Sequence, residues 1–216
     1  MDKSVIPAIL KELNLDEKSV ANIYNYGSWV YGTNSNKSDR DLMIVTRTSQ
    51  NPLVFDDDIE YFHNFELHKL WNQYDVCVHN IENFELLLSK NYLLAVECIF
   101  LPDEFKLKEE IDFRQMYIEK FHNIDRLKLA AFYENDCAIK MLDPNSATYP
   151  KRSSRSGRDD ETTNDFLFKN LFHGYRYLDF AEQLIQTKSI HNFKRVSHVL
   201  QEMKEIRDRS SSDLDP

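Results

Sequence analysis

Apolar positions change period several times along the chain, and each change predicts an element. Val5, Ile9, Leu10 and Leu13 recur at helical spacing over residues 3–14, with Pro7 tolerable in a first turn. Val20–Tyr26 reads as a strand, ended by a sharp turn at Gly27-Ser28 that opens a short helix. Leu42–Thr46 is apolar on both faces, the pattern of a central strand covered on both sides. Tyr74–His79 alternates, with Asp75, Cys77 and His79 on one face and Tyr74, Val76 and Val78 on the other. Between these strands, residues 59–73 are rich in aromatics and histidine (Tyr61, Phe62, His63, Phe65, His68, Trp71) and fit a strand and a helix equally well.

From Ile81 onward the pattern is helical. Ile81–Phe100 closes the first half, and Leu101-Pro102-Asp103-Glu104 is the best boundary signal. Residues 108–141 carry 3.6-period segments whose predicted core includes Phe113, Met116, Tyr117, Phe121, Ile124, Leu127, Leu129, Phe132 and Met141. Lys151–Thr163 has no apolar residue and reads as a mobile loop, with Lys151, Arg152, Arg155 and Arg158 as a basic cluster that suits either a linker or a flap. Helices are predicted over 163–187 and 190–208. The expected organisation is an α/β domain over 1–103, a helical domain over 104–209 and a disordered tail over 210–216.

Composition narrows the chemistry. The 216 residues are 42% hydrophobic, enough for a sizeable core. The net charge is −9, and residues 1–100 hold 8 basic against 15 acidic side chains, so long nucleic acid is a poor partner. No apolar run reaches transmembrane length and the N-terminus lacks the pattern of a signal peptide. The odd, scattered Cys77, Cys98 and Cys137 read as reduced thiols, so a cytoplasmic protein with no membrane contact is expected. Asp56-Asp57-Asp58 reads as a solvated acidic loop, and His63 and His68 as ordinary histidines.

The chemistry concentrates in residues 26–45. The first amides after Gly27 point outward and suit an anion. In Ser38-Asp39-Arg40-Asp41-Leu42, strand alternation puts Asp39 and Asp41 on one side. Two neighbouring carboxylates repel unless a cation compensates them, and Mg²⁺ is usually held by one or two carboxylates together with substrate phosphates.

Gly27-Ser28, three residues, Gly32, five residues and Ser38-Asp39-Arg40-Asp41-Leu42 resemble the signature of the polymerase-beta-type nucleotidyltransferase superfamily. The resemblance covers residues 20–80. It implies the nucleotidyltransferase fold, a small mixed sheet flanked by helices, here followed by a C-terminal helical bundle. It implies that the Gly27-Ser28 turn binds the β- and γ-phosphates of a nucleoside triphosphate such as ATP. Asp39 and Asp41 would then hold two Mg²⁺ (or Mn²⁺) ions, and Asp75, at the matching strand position, would be the third carboxylate. Ser38 would add a phosphate contact. The implied reaction moves a nucleoside monophosphate to an acceptor hydroxyl with release of pyrophosphate. Within the superfamily the acceptor is a small molecule, a protein side chain or an RNA 3′ end. A catalytically inactive nucleotide sensor or an antitoxin-type binding protein is the alternative.

On the helix predicted over 163–187, Lys169, His173 and Arg176 fall at i, i+4 and i+7, within about 60° of one another. This spacing resembles one found C-terminal to the signature in uncharacterised bacterial and phage nucleotidyltransferases, where it implies a triphosphate clamp. A salt-bridged structural stripe is the alternative.

Overall fold

The computed structural model describes residues 3–36, 38–48, 67–140, 142 and 163–212. The chain divides into two compact units, Met1–His122 and Asn123–Pro216.

The first unit is built on a five-stranded sheet. Its strands are β1 (Val20–Tyr26), β2 (Arg40–Thr46), β3 (Leu67–Trp71), β4 (Tyr74–Asn80) and β5 (Lys106–Glu109), in the spatial order β3-β4-β2-β1-β5. β2 and β4 are parallel and every other pair is antiparallel. This is the small mixed sheet that the signature implies. Helix α1 (Ile6–Glu12) carries Pro7 in its first turn and ends at Leu13, after which Asn14 takes the left-handed conformation that terminates helices. It buries Ile9 and Leu10 against Ile23, Leu42, Ile44, Val76 and Val78 on one face of the sheet. On the other face Tyr24 stacks on Phe84, whose ring meets Phe113 edge-on at 5.0 Å between centroids. From Leu42 to Thr46 every residue of β2 is buried, as its continuous apolar pattern requires.

Two asparagines carry signals that hydrophobic periodicity does not contain. Asn72 has φ 52°, so Trp71 and Tyr74 are joined by a two-residue hairpin turn, and β3 takes the end of the stretch that fits strand and helix equally well. Residues 49–66, including Asp56-Asp57-Asp58 and His63, lie outside the described residues. Asn80 caps helix α3 (Ile81–Ser89) by accepting a hydrogen bond from the Asn83 backbone N–H at 2.7 Å. Helix α4 (Leu93–Phe100) follows and is buried along nearly its whole length.

The segment after the predicted boundary at 103 behaves differently from expectation. Lys106–Glu109 is not helical but adds the edge strand β5 to β1. A short helix, α5 (Phe113–Met116), and a π-helical turn over Tyr117–Phe121 then pack back on this unit, with the Tyr117 hydroxyl donating to the Asn91 side-chain oxygen at 2.6 Å. The division therefore falls after His122. Leu107, Phe113 and Tyr117 bury their side chains within the first unit, and a Pro-Asp pair in a connecting turn does not outweigh that.

In the second unit, α6 (Ile124–Lys140) packs on α7 (Thr163–Thr187), and α8 (Ser197–Ser212) follows. The two long helices approach closely at Gly174, where a β-carbon would lie 3.0 Å from the Ala138 Cβ. α6 buries Leu127, Ala131 and Ala138, whereas Leu129 and Phe132, expected in the core, are 67% and 66% exposed. α7 packs on the face of α6 that carries small residues, with Ala138 against Gly174, and so leaves Leu129 and Phe132 outside. Gln183 fastens the turn between α7 and α8, its side-chain oxygen accepting from the backbone N–H groups of His191 and Asn192. α8 runs to Ser212, so the first part of the expected tail is helical. The basic cluster Lys151, Arg152, Arg155 and Arg158 lies outside the described residues.

Candidate active site

The site grows from the C-terminal end of β1 and the N-terminal end of β2. Tyr26 pairs with Asp41 across the antiparallel ladder, and Asp41 pairs with Asp75 across the parallel one. Residues opposite one another in a ladder project to the same face, so Tyr26, Asp41 and Asp75 form one row across three strands. The two predicted carboxylates on the ladder are thus nearest neighbours at the end of the sheet, both half-buried.

The Gly27-Ser28 turn abuts this row. Gly27 has φ 83° and ψ −157°, a backbone form that L residues rarely take, and it caps the four-residue helix α2 (Ser28–Tyr31). A β-carbon at Gly27 would lie 1.9 Å from Oδ2 of Asp41, so the carboxylate rests directly against the glycine main chain. Only glycine leaves room for it. Ser28 opens the helix half-buried, and the N–H groups of Val30 and Tyr31 are taken by the Gly27 carbonyl.

Helix α2 is held on two sides. Its Tyr31 hydroxyl donates to the carboxylate of Glu97 in α4, both residues being fully buried. On the other side the Trp29 indole N–H donates to the main-chain carbonyl of Asp39 at 3.0 Å, and the Arg40 guanidinium lies 4.0 Å from the centre of the same ring. Spacing in the motif did not single out Trp29, Tyr31 or Glu97. The sequence signal for them is slight: two aromatics inside a four-residue helix too short to be stable without tertiary anchors.

Asp39 precedes the first ladder residue, Arg40, so it flanks the Asp41–Asp75 pair instead of joining the paired row. Among the described residues no three His, Cys, Asp or Glu side chains converge as a ready-made metal cluster. The paired carboxylates nevertheless fit an ion of the magnesium type, which commonly takes one or two carboxylates and completes its shell with water and phosphate oxygens. Ser38 has a local task. Its hydroxyl accepts from the Ser35 N–H at 2.8 Å while its own N–H donates to the Ser35 carbonyl, which closes the bend before Asp39.

Beneath the carboxylates the face is uncharged. Cys77 lies 3.8 Å from the Tyr26 hydroxyl, and burial pushes its thiol up to about 12. Burial, with Cys77 and then Asp41 adding to it, likewise holds Tyr26 well above the ordinary phenol value. Both groups stay protonated at neutral pH, so the floor adds no negative charge to the pair above it. His79 is farther along the same face and deeply buried, and burial lowers its pKa to about 4. An unfolded chain takes up this proton near pH 6.5, whereas the folded chain does so only near 4, so folding loses stability as pH falls through that window. Urea unfolding at pH 7 and pH 5 should differ by about 2 kcal/mol from this group alone, and His79→Asn should remove that share of the difference.

The predicted basic stripe lies in the second unit. Lys169 is exposed, His173 is half-buried and Arg176 is 2% exposed. The Arg176 guanidinium sits 4.6 Å from the Tyr177 ring centre and donates through Nη1 to Nδ1 of His173 at 2.6 Å. Burial first, then the positive charges of Arg176 and Lys169, keep the pKa of His173 well below its ordinary value. His173 is therefore a neutral member of the stripe, because a neutral imidazole is the acceptor that a buried guanidinium needs.

A mixed sheet that presents neighbouring carboxylates beside a Gly-Ser turn defines a nucleotidyltransferase-type domain. Residues 6–130 match the family model for the nucleotidyltransferase domain, more than half of the chain, and the protein belongs to that family. The match is consistent with the polymerase-beta-type superfamily that the motif resembles. No curated protein matches the chain. No helix among the described residues is long and apolar enough to cross a membrane.

Proposed function

We propose that this chain transfers a nucleoside monophosphate from a nucleoside triphosphate to an acceptor hydroxyl and releases pyrophosphate. The observation that supports the reading best is the Asp41 carboxylate resting on Gly27 while Asp75 stands beside it on the next strand. Asp41 and Asp75, with Asp39 flanking them, are the residues that would hold Mg²⁺ or Mn²⁺. Such an ion, when bound, supplies positive charge to phosphate oxygens and acidifies the acceptor hydroxyl.

The chain's own residues then have separate tasks. The amides at the start of α2 and the Ser28 hydroxyl bind the phosphates that leave as pyrophosphate. Asp75 accepts the proton of the acceptor hydroxyl, and the neutral floor of Tyr26 and Cys77 keeps the local charge to that of the carboxylates. The acceptor belongs to one of three classes, a small molecule, a protein side chain or an RNA end, and the acidic balance of the chain disfavours long nucleic acid. Three free cysteines suit a reducing, cytoplasmic location.

The test is to incubate the protein with Mg²⁺, a cell extract and each of the four labelled ribonucleoside triphosphates in turn. Pyrophosphate release with transfer of label to one species is expected. Calorimetric binding of a triphosphate with no release under any of these conditions would mean a nucleotide sensor and overturn the proposal.

A further inference from the structure

We infer that Trp29 is the positioning residue for Asp39, gripping its main chain so that the carboxylate stays at the ion-binding end of the sheet; this rests on the function proposed above. Asp39 lies just outside the ladder, whose hydrogen bonding begins one residue later with the Arg40 N–H donating to the Gln73 carbonyl at 2.8 Å. The sheet pairs Asp41 with Asp75 and leaves Asp39 outside the paired register. A side chain adds a second hold there, on the carbonyl of the same planar peptide group whose N–H makes that first ladder bond. The Trp29 indole N–H donates to the Asp39 carbonyl at 3.0 Å, and the Arg40 guanidinium lies 4.0 Å from the indole centre.

Trp29 directly follows Ser28, so one side chain ties the phosphate turn to the residue that enters β2. A tryptophan has two side-chain torsions, and a hydrogen bond at one edge plus a cation over one face leaves little freedom in either. The bend on the far side is closed by Ser35 and Ser38. Turn and carboxylate then move as one body. Ion affinity depends on such outer contacts because a ligand that wanders by a fraction of an ångström must be reordered each time an ion binds, and their removal commonly costs 10–100-fold in affinity.

The test uses the full chain and Mn²⁺ alone, titrated by electron paramagnetic resonance, with Trp29→Phe, Arg40→Gln and, as a control, Asp41→Asn. Trp29→Phe keeps a ring beneath Arg40 but removes the donor, and it should weaken Mn²⁺ by about tenfold or more. Arg40→Gln loses the ring contact but also removes a positive charge from between Asp39 and Asp41, so it should change Mn²⁺ affinity less than Trp29→Phe does. In the pyrophosphate assay the Mg²⁺ concentration for half-maximal rate should rise for Trp29→Phe while the rate at saturating Mg²⁺ stays near that of the unmodified protein. Mn²⁺ affinity of both variants equal to that of the unmodified protein overturns the inference and leaves the proposed function standing. A variant that melts earlier but binds Mn²⁺ normally assigns Trp29 a structural role and overturns it as well. Failure of the unmodified protein to bind Mn²⁺ overturns both.

Discussion

Asp39→Asn combined with Asp41→Asn should reduce magnesium-dependent pyrophosphate release by about a thousandfold or more, with the far-ultraviolet circular dichroism of the protein unchanged. An amide keeps the size of the carboxylate but loses its charge, and a hard cation binds weakly where anionic oxygens have become neutral. Charge compensation on a transferring phosphoryl group supplies several kcal/mol, and each 1.4 kcal/mol is about tenfold in rate. The substitution should be tolerated structurally because both side chains are half-buried at the end of the sheet. Asp41→Asn even relieves repulsion from Asp75, its neighbour across β2 and β4. The measurement is steady-state pyrophosphate release over a range of Mg²⁺ concentrations, and undiminished turnover by the double variant would refute the carboxylate assignment.

Gly27→Ala is expected to be nearly as damaging, by a different route. The new methyl would lie 1.9 Å from Oδ2 and 2.7 Å from Cγ of Asp41, so the carboxylate must swing away from the turn. The main chain is strained as well, since φ is 83° at that position, at a cost of about 1–3 kcal/mol. Displacing a catalytic group by about 1 Å commonly loses on the order of a hundredfold, so kcat/KM should fall by at least that much. Gly32→Ala is the control, because Gly32 also has positive φ, 71°, but is exposed at the other end of α2. It should cost stability and leave most of the activity. Equal activity of the Gly27 and Gly32 variants would show that contact between the turn and Asp41 is irrelevant to turnover.

How well the elements could be read depended on where their information resides. β1, the Gly27-Ser28 turn, β2, β4 and the helix over Thr163–Thr187 were legible because each carries its own periodicity or turn chemistry. β5 was not, since Lys106–Glu109 is a four-residue edge strand with one buried side chain, and only its pairing with β1 makes it a strand. The core of α6 was half legible. Leu127 is buried as expected, but Leu129 and Phe132 face out because α7 packs on the side that carries alanines. The charge state of His173 could not be read either, as it depends on a buried guanidinium three residues away in the helix.

The signature, the order of turn and carboxylates, and hence the family are readable from the residues alone, because glycine and aspartate at fixed spacing are local requirements of backbone conformation and charge. That Asp75 stands beside Asp41, that Gly27 is pressed against that carboxylate and that Trp29 holds the Asp39 carbonyl emerge from packing. Strand register and side-chain contact join residues far apart in the chain, and the energies that select them arise only when the sheet and its helices have packed together.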